Sequence, residues 1–464
     1  MSSLEYAAAT IDSVMSKSRP LLRCLNWVGW IAAVALCLHS ALRLFHLIDH
    51  YAVNLLFYDN FVYYFSLAHR WNYWQRFTAP VGPHREGLGL LLSSVIAPIS
   101  HWNMRAEAFA IGVILLCAML AGLWMKKRAF GFVAWYDLII FSCFFLTPKQ
   151  WEIWSNTINS SHGVLPLLLI MLWCLSWTIQ RKSFRDGSIL SVNFLAIFTG
   201  FGIFLGLLTS LAFAFRRNKL GLRVSLASLL MFFWRYKFEP ANPGFRFLDP
   251  AILRLPYAIA VGLSHACNIV VSPWDQIVGY ALLALLIAIA VFQFRGFRSG
   301  EPRSLIIFSL IGFTFLFSVS ATVGRISIGD KFLTWSRYVP LLVPGFVGAY
   351  LSIGKMRSSP LRCLCTAIAV AIALRMSLVI AAGDRGSMEK YRTIKVNWIN
   401  TYFSTGSLTK ANHAGELGIY PEPLPDDFAA KIDYLRENRL NFFASKDPGE
   451  ISPATRPTPP APRP

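Results

Sequence analysis

Asp59 is the residue of this chain best suited to acid/base chemistry. It stands in Tyr58-Asp59-Asn60, shortly after the first long apolar run, and Phe57, Tyr58 and Phe61 surround it with groups that lower the local dielectric. A carboxylate so placed can take a proton from a hydroxyl. Arg325 and Arg337 supply the complementary charge. They flank Ile326-Ser327-Ile328-Gly329-Asp330-Lys331, and Arg337 sits between Ser336 and Tyr338. Two planar guanidinium forks suit a phosphate or pyrophosphate better than ammonium groups do, so Arg325, Arg337 and Tyr338 form a candidate phosphate-binding set. Two further clusters could hold the rest of a substrate. His84-Arg85-Glu86 brings an imidazole, a guanidinium and a carboxyl together, and Gln150-Trp151-Glu152, with Trp154 close by, offers an aromatic face beside polar groups.

Each of these residues also has a plainer role. Asp59 would serve equally as the cap of a helix carrying Tyr63, Tyr64, Leu67 and Trp71. Arginines near the ends of apolar runs snorkel toward water, and this applies to Arg43 and Arg375 as well as to Arg325 and Arg337. Arg85 and Glu86 can pair with each other, and tryptophans gather at membrane interfaces without binding anything. The His84 cluster is too short to hold a metal by itself. All eight cysteines lie in or beside apolar runs, which excludes a disulfide framework or a zinc pattern. A divalent metal therefore has no motif behind it.

The elements that must position these groups are membrane helices. The chain has 464 residues, 55% of them hydrophobic, with a mean hydropathy of +0.48 and apolar runs of near-spanning length from end to end. The formal charge of +20 does not indicate nucleic acid, because the basic residues fall in short loops between apolar runs. Five basic clusters start near Lys126, Arg181, Arg216, Arg295 and Lys355, and the only acids among them are Asp186 and Glu301. The positive-inside rule puts all five in the cytoplasm.

Parity then sets the rest. Apolar runs at about Trp27–Leu47, Glu107–Met125, Phe132–Leu146, Gly163–Gln180, Leu222–Tyr236, Gln276–Phe294, Leu305–Ala321, Val339–Tyr350 and Cys363–Ala382 read as crossings. Ile189–Phe215, broken at Thr199-Gly200-Phe201-Gly202, reads as a two-helix hairpin, which brings the total to eleven. Gly87–Met104 and Ala251–Val271 become re-entrant or interfacial helices at the outer face. The expected fold is an all-α polytopic bundle with the amino terminus inside and the carboxy terminus outside. Its parts are a cytoplasmic segment 1–26, a transmembrane domain 27–382 with a first outer loop 48–106, a small outer appendage 383–446, and a disordered proline-rich tail 447–464. Within the appendage, Phe428, Ile432 and Leu435 share one face of a helix that starts near Pro425. All the polar groups singled out above then meet at the outer face.

On these features the chain resembles the GT-C superfamily of membrane glycosyltransferases and bacterial membrane proteins allied to it. The features are Tyr58-Asp59-Asn60 after the first span, Pro83-His84-Arg85-Glu86 before an apolar helix, Thr147-Pro148-Lys149-Gln150-Trp151-Glu152, the broken hairpin, and Gly324-Arg325 through Ser336-Arg337-Tyr338. The resemblance spans about Trp27 to Phe443. It implies a polyprenyl-phosphate-linked sugar as donor, a bacterial inner membrane as the setting, and a first-loop carboxylate as general base or metal ligand, a position that Asp59 matches. The chain departs from the pattern at Asn60, where many relatives carry a second acid. Two other classes compete: a transporter or flippase of a lipid-linked substrate, and an envelope-assembly protein that has kept the scaffold without the activity.

Overall fold

A bilayer leaves no water to satisfy backbone groups, so a chain this apolar must close its hydrogen bonds within helices. The computed structural model describes residues 3–444 apart from 70, 82–83, 235, 237–249, 330 and 416–417. It opens with α1 (Ser3–Tyr51), followed at one end of the molecule by α2 (Asn60–Ala68), α3 (Tyr73–Phe77), a hairpin of β1 (Pro80–Val81) and β2 (His84–Arg85), and α4 (Gly87–Ser100). The bundle continues through α5 (Met104–Phe130), α6 (Trp135–Phe145), the short α7 (Glu152–Ser155), α8 (Val164–Ser176), α9 (Lys182–Ile197), α10 (Ile203–Phe215) and α11 (Lys219–Phe233). Then come α12 (Leu255–Ala266), α13 (Trp274–Ser299), α14 (Pro302–Arg325), α15 (Val339–Ile353) and α16 (Ser359–Leu378). The chain finishes with α17 (Ala382–Thr405), α18 (Leu408–Asn412) and α19 (Phe428–Glu437).

Among the described residues, six stretches are long and apolar enough to cross a membrane: Cys24–Tyr51, Met104–Phe130, Thr157–Ser176, Trp274–Ser299, Pro302–Arg325 and the run Ser359–Thr405. α4 and α12, at 14 and 12 residues, fall in the two runs expected to lie at the outer face, and both fall short of the ~20 residues a crossing needs. The expected break in the hairpin is present between α9 and α10. A Cβ on Gly202 would sit 1.6 Å from the carbonyl oxygen of Ala196, so the chain can fold back on itself there only with glycine.

The basic clusters gather at one end of the bundle. Arg303 donates to the Ala129 carbonyl at 2.9 Å, Arg216 donates to the Gly300 carbonyl at 3.1 Å, and Lys355 pairs with Glu301 at 2.8 Å. Asp186 accepts from Arg185 and Asn218. At the same end Lys126 pairs with the fully buried Asp137, whose other oxygen accepts from Tyr350. Removing one partner of such a buried pair leaves an uncompensated charge and costs about 3–5 kcal/mol.

The opposite end holds α2, α4 and the carboxy-terminal helices. Phe428, Ile432 and Leu435 are buried, as their spacing predicts. They are not part of a separate appendage. They join Phe61, Tyr64, Phe65 and Trp102 of the segment after α1 and Trp398, Ile399 and Tyr402 of α17 in one core. Asn441 fastens the joint: its amide donates to the Trp102 carbonyl at 2.7 Å and to Asn54 at 3.0 Å, while its oxygen accepts from the Leu56 backbone at 3.1 Å. The tail 447–464 and most of the loop before Arg254 lie outside the described residues. An alkaline phosphatase fused after Phe443 is expected to be active, as it should if residues 383–443 face away from the cytoplasm. Fusions after Lys127 and Arg217 are expected to be silent, and an inactive fusion at Phe443 would overturn the orientation.

Candidate functional site

At the carboxy-terminal end of α14 the chain makes three short helical turns, Ile326–Ile328, Phe332–Thr334 and Ser336–Tyr338, before entering α15. Val339 and the proline at Pro340 begin α15, and Tyr338 is buried beneath it. This tight path stacks Trp335 on Tyr338, with ring planes 10° apart. Both arginines lie over those two rings. The Arg337 guanidinium carbon is 4.5 Å from the Trp335 centroid and 5.4 Å from that of Tyr338; for Arg325 the distances are 5.7 and 5.9 Å. Cation–π attraction, about 0.5–2 kcal/mol each, offsets part of the repulsion between two like charges held this close. Glu152 pairs with Arg337 at 3.3 Å, and Ser336 caps Glu152 through the backbone N–H at 3.1 Å. Arg325 has no hydrogen bond or ion pair among the described residues, and Arg337 Nε is buried without a partner. The pair carries one more positive charge than Glu152 answers.

Around this clamp stand groups from distant parts of the chain. His84 on β2 packs edge-on against His162, with centroids 4.9 Å apart, and both rings meet Phe201 of the hairpin break. His162 Nε2 lies 2.9 Å from Glu86 Oε1. Burial pushes the Glu86 carboxyl well above the usual carboxylate range, and the charge of Asp59 pushes in the same direction. Burial, reinforced by His162, Arg325 and Arg337, holds His84 well below the usual imidazole range. The charge of Asp59 is felt at Glu86, His162 and Arg325. One neighbourhood therefore gathers Asp59, His84, Glu86, Glu152, Arg325, Arg337 and Tyr338.

Asp59 starts α2 without capping it: its side chain makes no cap hydrogen bond, and it is exposed. Among the described residues its carboxylate has no partner. Asn60, one position on and so about 100° around the helix, turns inward instead; it is 2% exposed and donates to Thr157 at 3.2 Å. The amide at this position holds the first loop to the polar turn before α8.

Other expected site residues are placed elsewhere. The Arg85 guanidinium is consumed by the backbone carbonyls of Phe232, Trp234 and Thr78, so it neither pairs with Glu86 nor reaches the clamp. Gln150 is fully buried and donates to the Phe145 carbonyl at 2.6 Å. Trp151 and Trp154 are buried, and Trp151 points its Nε1 at Asp384, 3.3 Å away, so neither presents a face for a sugar. Asp384 also pairs with Lys149 at 2.6 Å. Arg43 and Arg375 donate to the Ser377 and Asn268 carbonyls near the end of α16. Asp330 lies outside the described residues. Sequence reasoning passed over His162 and Tyr391, whose charge environments include Arg337. The run Asn159-Ser160-Ser161-His162 inside an apolar stretch was the available signal.

The chain matches no protein-family model, no curated protein and no solved structure. Among the described residues no three His, Cys, Asp or Glu side chains converge on a metal position. Two outcomes are expected. Asp59→Asn should leave thermal stability within about 0.5 kcal/mol of wild type, since no cap bond is lost. Glu86 has a raised pKa in the folded state, so its stabilisation is complete below the unfolded carboxyl value and fades as pH rises toward and through the folded one. Glu86→Gln should therefore gain stability relative to wild type as pH is raised from the ordinary carboxyl value of 4.5 upward, read as melting temperature in detergent; a constant difference from that value upward would contradict a raised Glu86 carboxyl.

Proposed function

We propose that this protein is a membrane glycosyltransferase that moves a sugar from a polyprenyl-phosphate carrier to an acceptor hydroxyl at the outer face of a bacterial inner membrane. The observation that carries this reading is the pair of guanidinium groups held over the same two rings, with surplus positive charge and a free carboxylate nearby. A low-dielectric site that accumulates uncompensated positive charge is matched to an anion that enters with the substrate. In this scheme Arg325 and Arg337 grip the lipid phosphate. Asp59 takes the proton of the acceptor hydroxyl, the acceptor oxygen bonds to the anomeric carbon, and the bond from that carbon to the phosphate oxygen breaks with its electrons going to the phosphate. The isoprenoid tail runs between helices into the bilayer. The topology that goes with it has eleven crossings, the amino terminus inside and the carboxy terminus outside, with α6, α9, α10, α11 and α15 supplying the shorter crossings. Sugar transfer needs no metal in this scheme.

Arg337→Lys should weaken binding of undecaprenyl phosphate in nanodiscs nearly as much as Arg337→Ala, because the fork is lost although the charge stays. Equal binding by wild type and both variants would remove the clamp. Asp59→Asn should lower transfer from a lipid-linked sugar by about two to four orders of magnitude. If instead lipid-linked sugar crosses proteoliposomes at the wild-type rate in this variant, with no transfer by either protein, the protein is a flippase and not a transferase.

A further inference from the structure

The break between α9 and α10 does more than turn the chain. Gly200 faces the His162 ring so closely that a Cβ would lie 2.5 Å from its Cδ2, and the Gly200 N–H donates to the Ser161 carbonyl at 2.9 Å. Only glycine leaves room for the ring. His162 is thereby fixed between Gly200, Phe201 and His84 on one side and Glu86 on the other. Glu86 is itself held in place, since Tyr63 donates its hydroxyl to the Glu86 carbonyl at 2.5 Å. Four buried polar atoms at this point have no hydrogen-bond partner among the described residues: His162 Nδ1, Glu86 Oε2, Ser161 Oγ and Tyr338 OH.

We propose that Glu86 and His162 form a proton relay that delivers a hydrogen to the phosphate leaving the Arg325–Arg337 clamp. This rests on the glycosyl-transfer reading. Glu86, 1% exposed, is held as the neutral acid and donates from Oε1 to His162 Nε2, so the ring carries its own hydrogen on Nδ1, the atom without a partner. When the bond from anomeric carbon to phosphate oxygen breaks, that oxygen keeps the electron pair and takes the Nδ1 hydrogen. Glu86 passes its hydrogen to Nε2, which leaves His162 neutral in the other tautomer and Glu86 as a carboxylate. Asp59 meanwhile holds the acceptor's proton. The phosphate carries one negative charge before and after, so product is gripped no more tightly than substrate, and exchange with water through exposed Asp59 resets the site. The charged and titratable groups facing His162 are Glu86 ahead of α4, His84 on β2, Asp59 at the start of α2, Arg325 at the end of α14 and Arg337 before α15.

The test uses the full chain in nanodiscs with ¹⁵N-labelled histidine, the His162 signal being assigned by its loss in His162→Asn. The expected result at neutral pH is a hydrogen on Nδ1, and a hydrogen on Nε2 would overturn the relay. Glu86→Gln can still donate to Nε2 but cannot give its hydrogen up. It should keep that tautomer and bind farnesyl phosphate within about twofold of wild type, yet lose transfer by about two orders of magnitude or more. Gly200→Ala, which displaces the ring, should likewise lose transfer by about two orders of magnitude or more. Wild-type transfer by Glu86→Gln overturns the proposal. Failure of wild type to bind farnesyl phosphate at all would be a failure of the clamp, and is told apart because Arg337→Ala and wild type would then agree while the tautomer stays on Nδ1.

Discussion

The arrangement at the site end depends on the joint between the segment after α1 and the carboxy-terminal helices. Asn441 answers backbone and side-chain groups of a segment nearly four hundred residues earlier, and it adopts a positive φ of 55° to do so, a conformation that asparagine tolerates better than most residues. The Tyr58 N–H donates to the Ile419 carbonyl at 2.8 Å, and the Phe61 ring meets Tyr420 edge-on and Phe428 at a tilt. Asp59 is bracketed by these contacts. Its position relative to the arginines is therefore held from outside the bundle, through residues far from it in sequence.

The two ends solve different electrostatic problems. At the basic end every buried charge is matched within the protein, as Lys126, Asp137 and Tyr350 illustrate. Helices in lipid gain nothing from hydrophobic association with one another, so such pairs and close packing bear much of the cohesion there. At the site end charges are left partly unmatched. Leaving buried polar groups unsatisfied costs about 1–3 kcal/mol each, and the matched network and the aromatic core around Trp398 must outweigh that cost.

The all-α class was legible because it rests on local patterns. The apolar runs, the hairpin break at Thr199–Gly202 and the spacing of Phe428, Ile432 and Leu435 each express a short-range rule. Side assignment alone put Asp59, Glu86, Arg325 and Arg337 on one side, and the charge of Asp59 felt at Glu86 and Arg325 agrees with their lying near one another. Arg85 was misjudged because the carbonyls that consume it belong to Phe232 and Trp234, about 150 residues away, and a guanidinium free of carboxylates looks available in sequence. Trp151 was misjudged because its partner Asp384 comes from α17, which had been read as part of an appendage. His162 was missed because a lone histidine in an apolar run has no local partner; Glu86 and Gly200 reach it only in three dimensions.

The joint at Asn441 also has a consequence in time. Residues 419 to 441 are made after every helix of the bundle, so Asp59 waits in an unfinished loop while the rest of the chain enters the bilayer. Until the carboxy-terminal helices dock, the carboxylate and the arginines are not held in register. A partly made chain thus lacks the assembled cluster, and the order of synthesis alone sets when it forms.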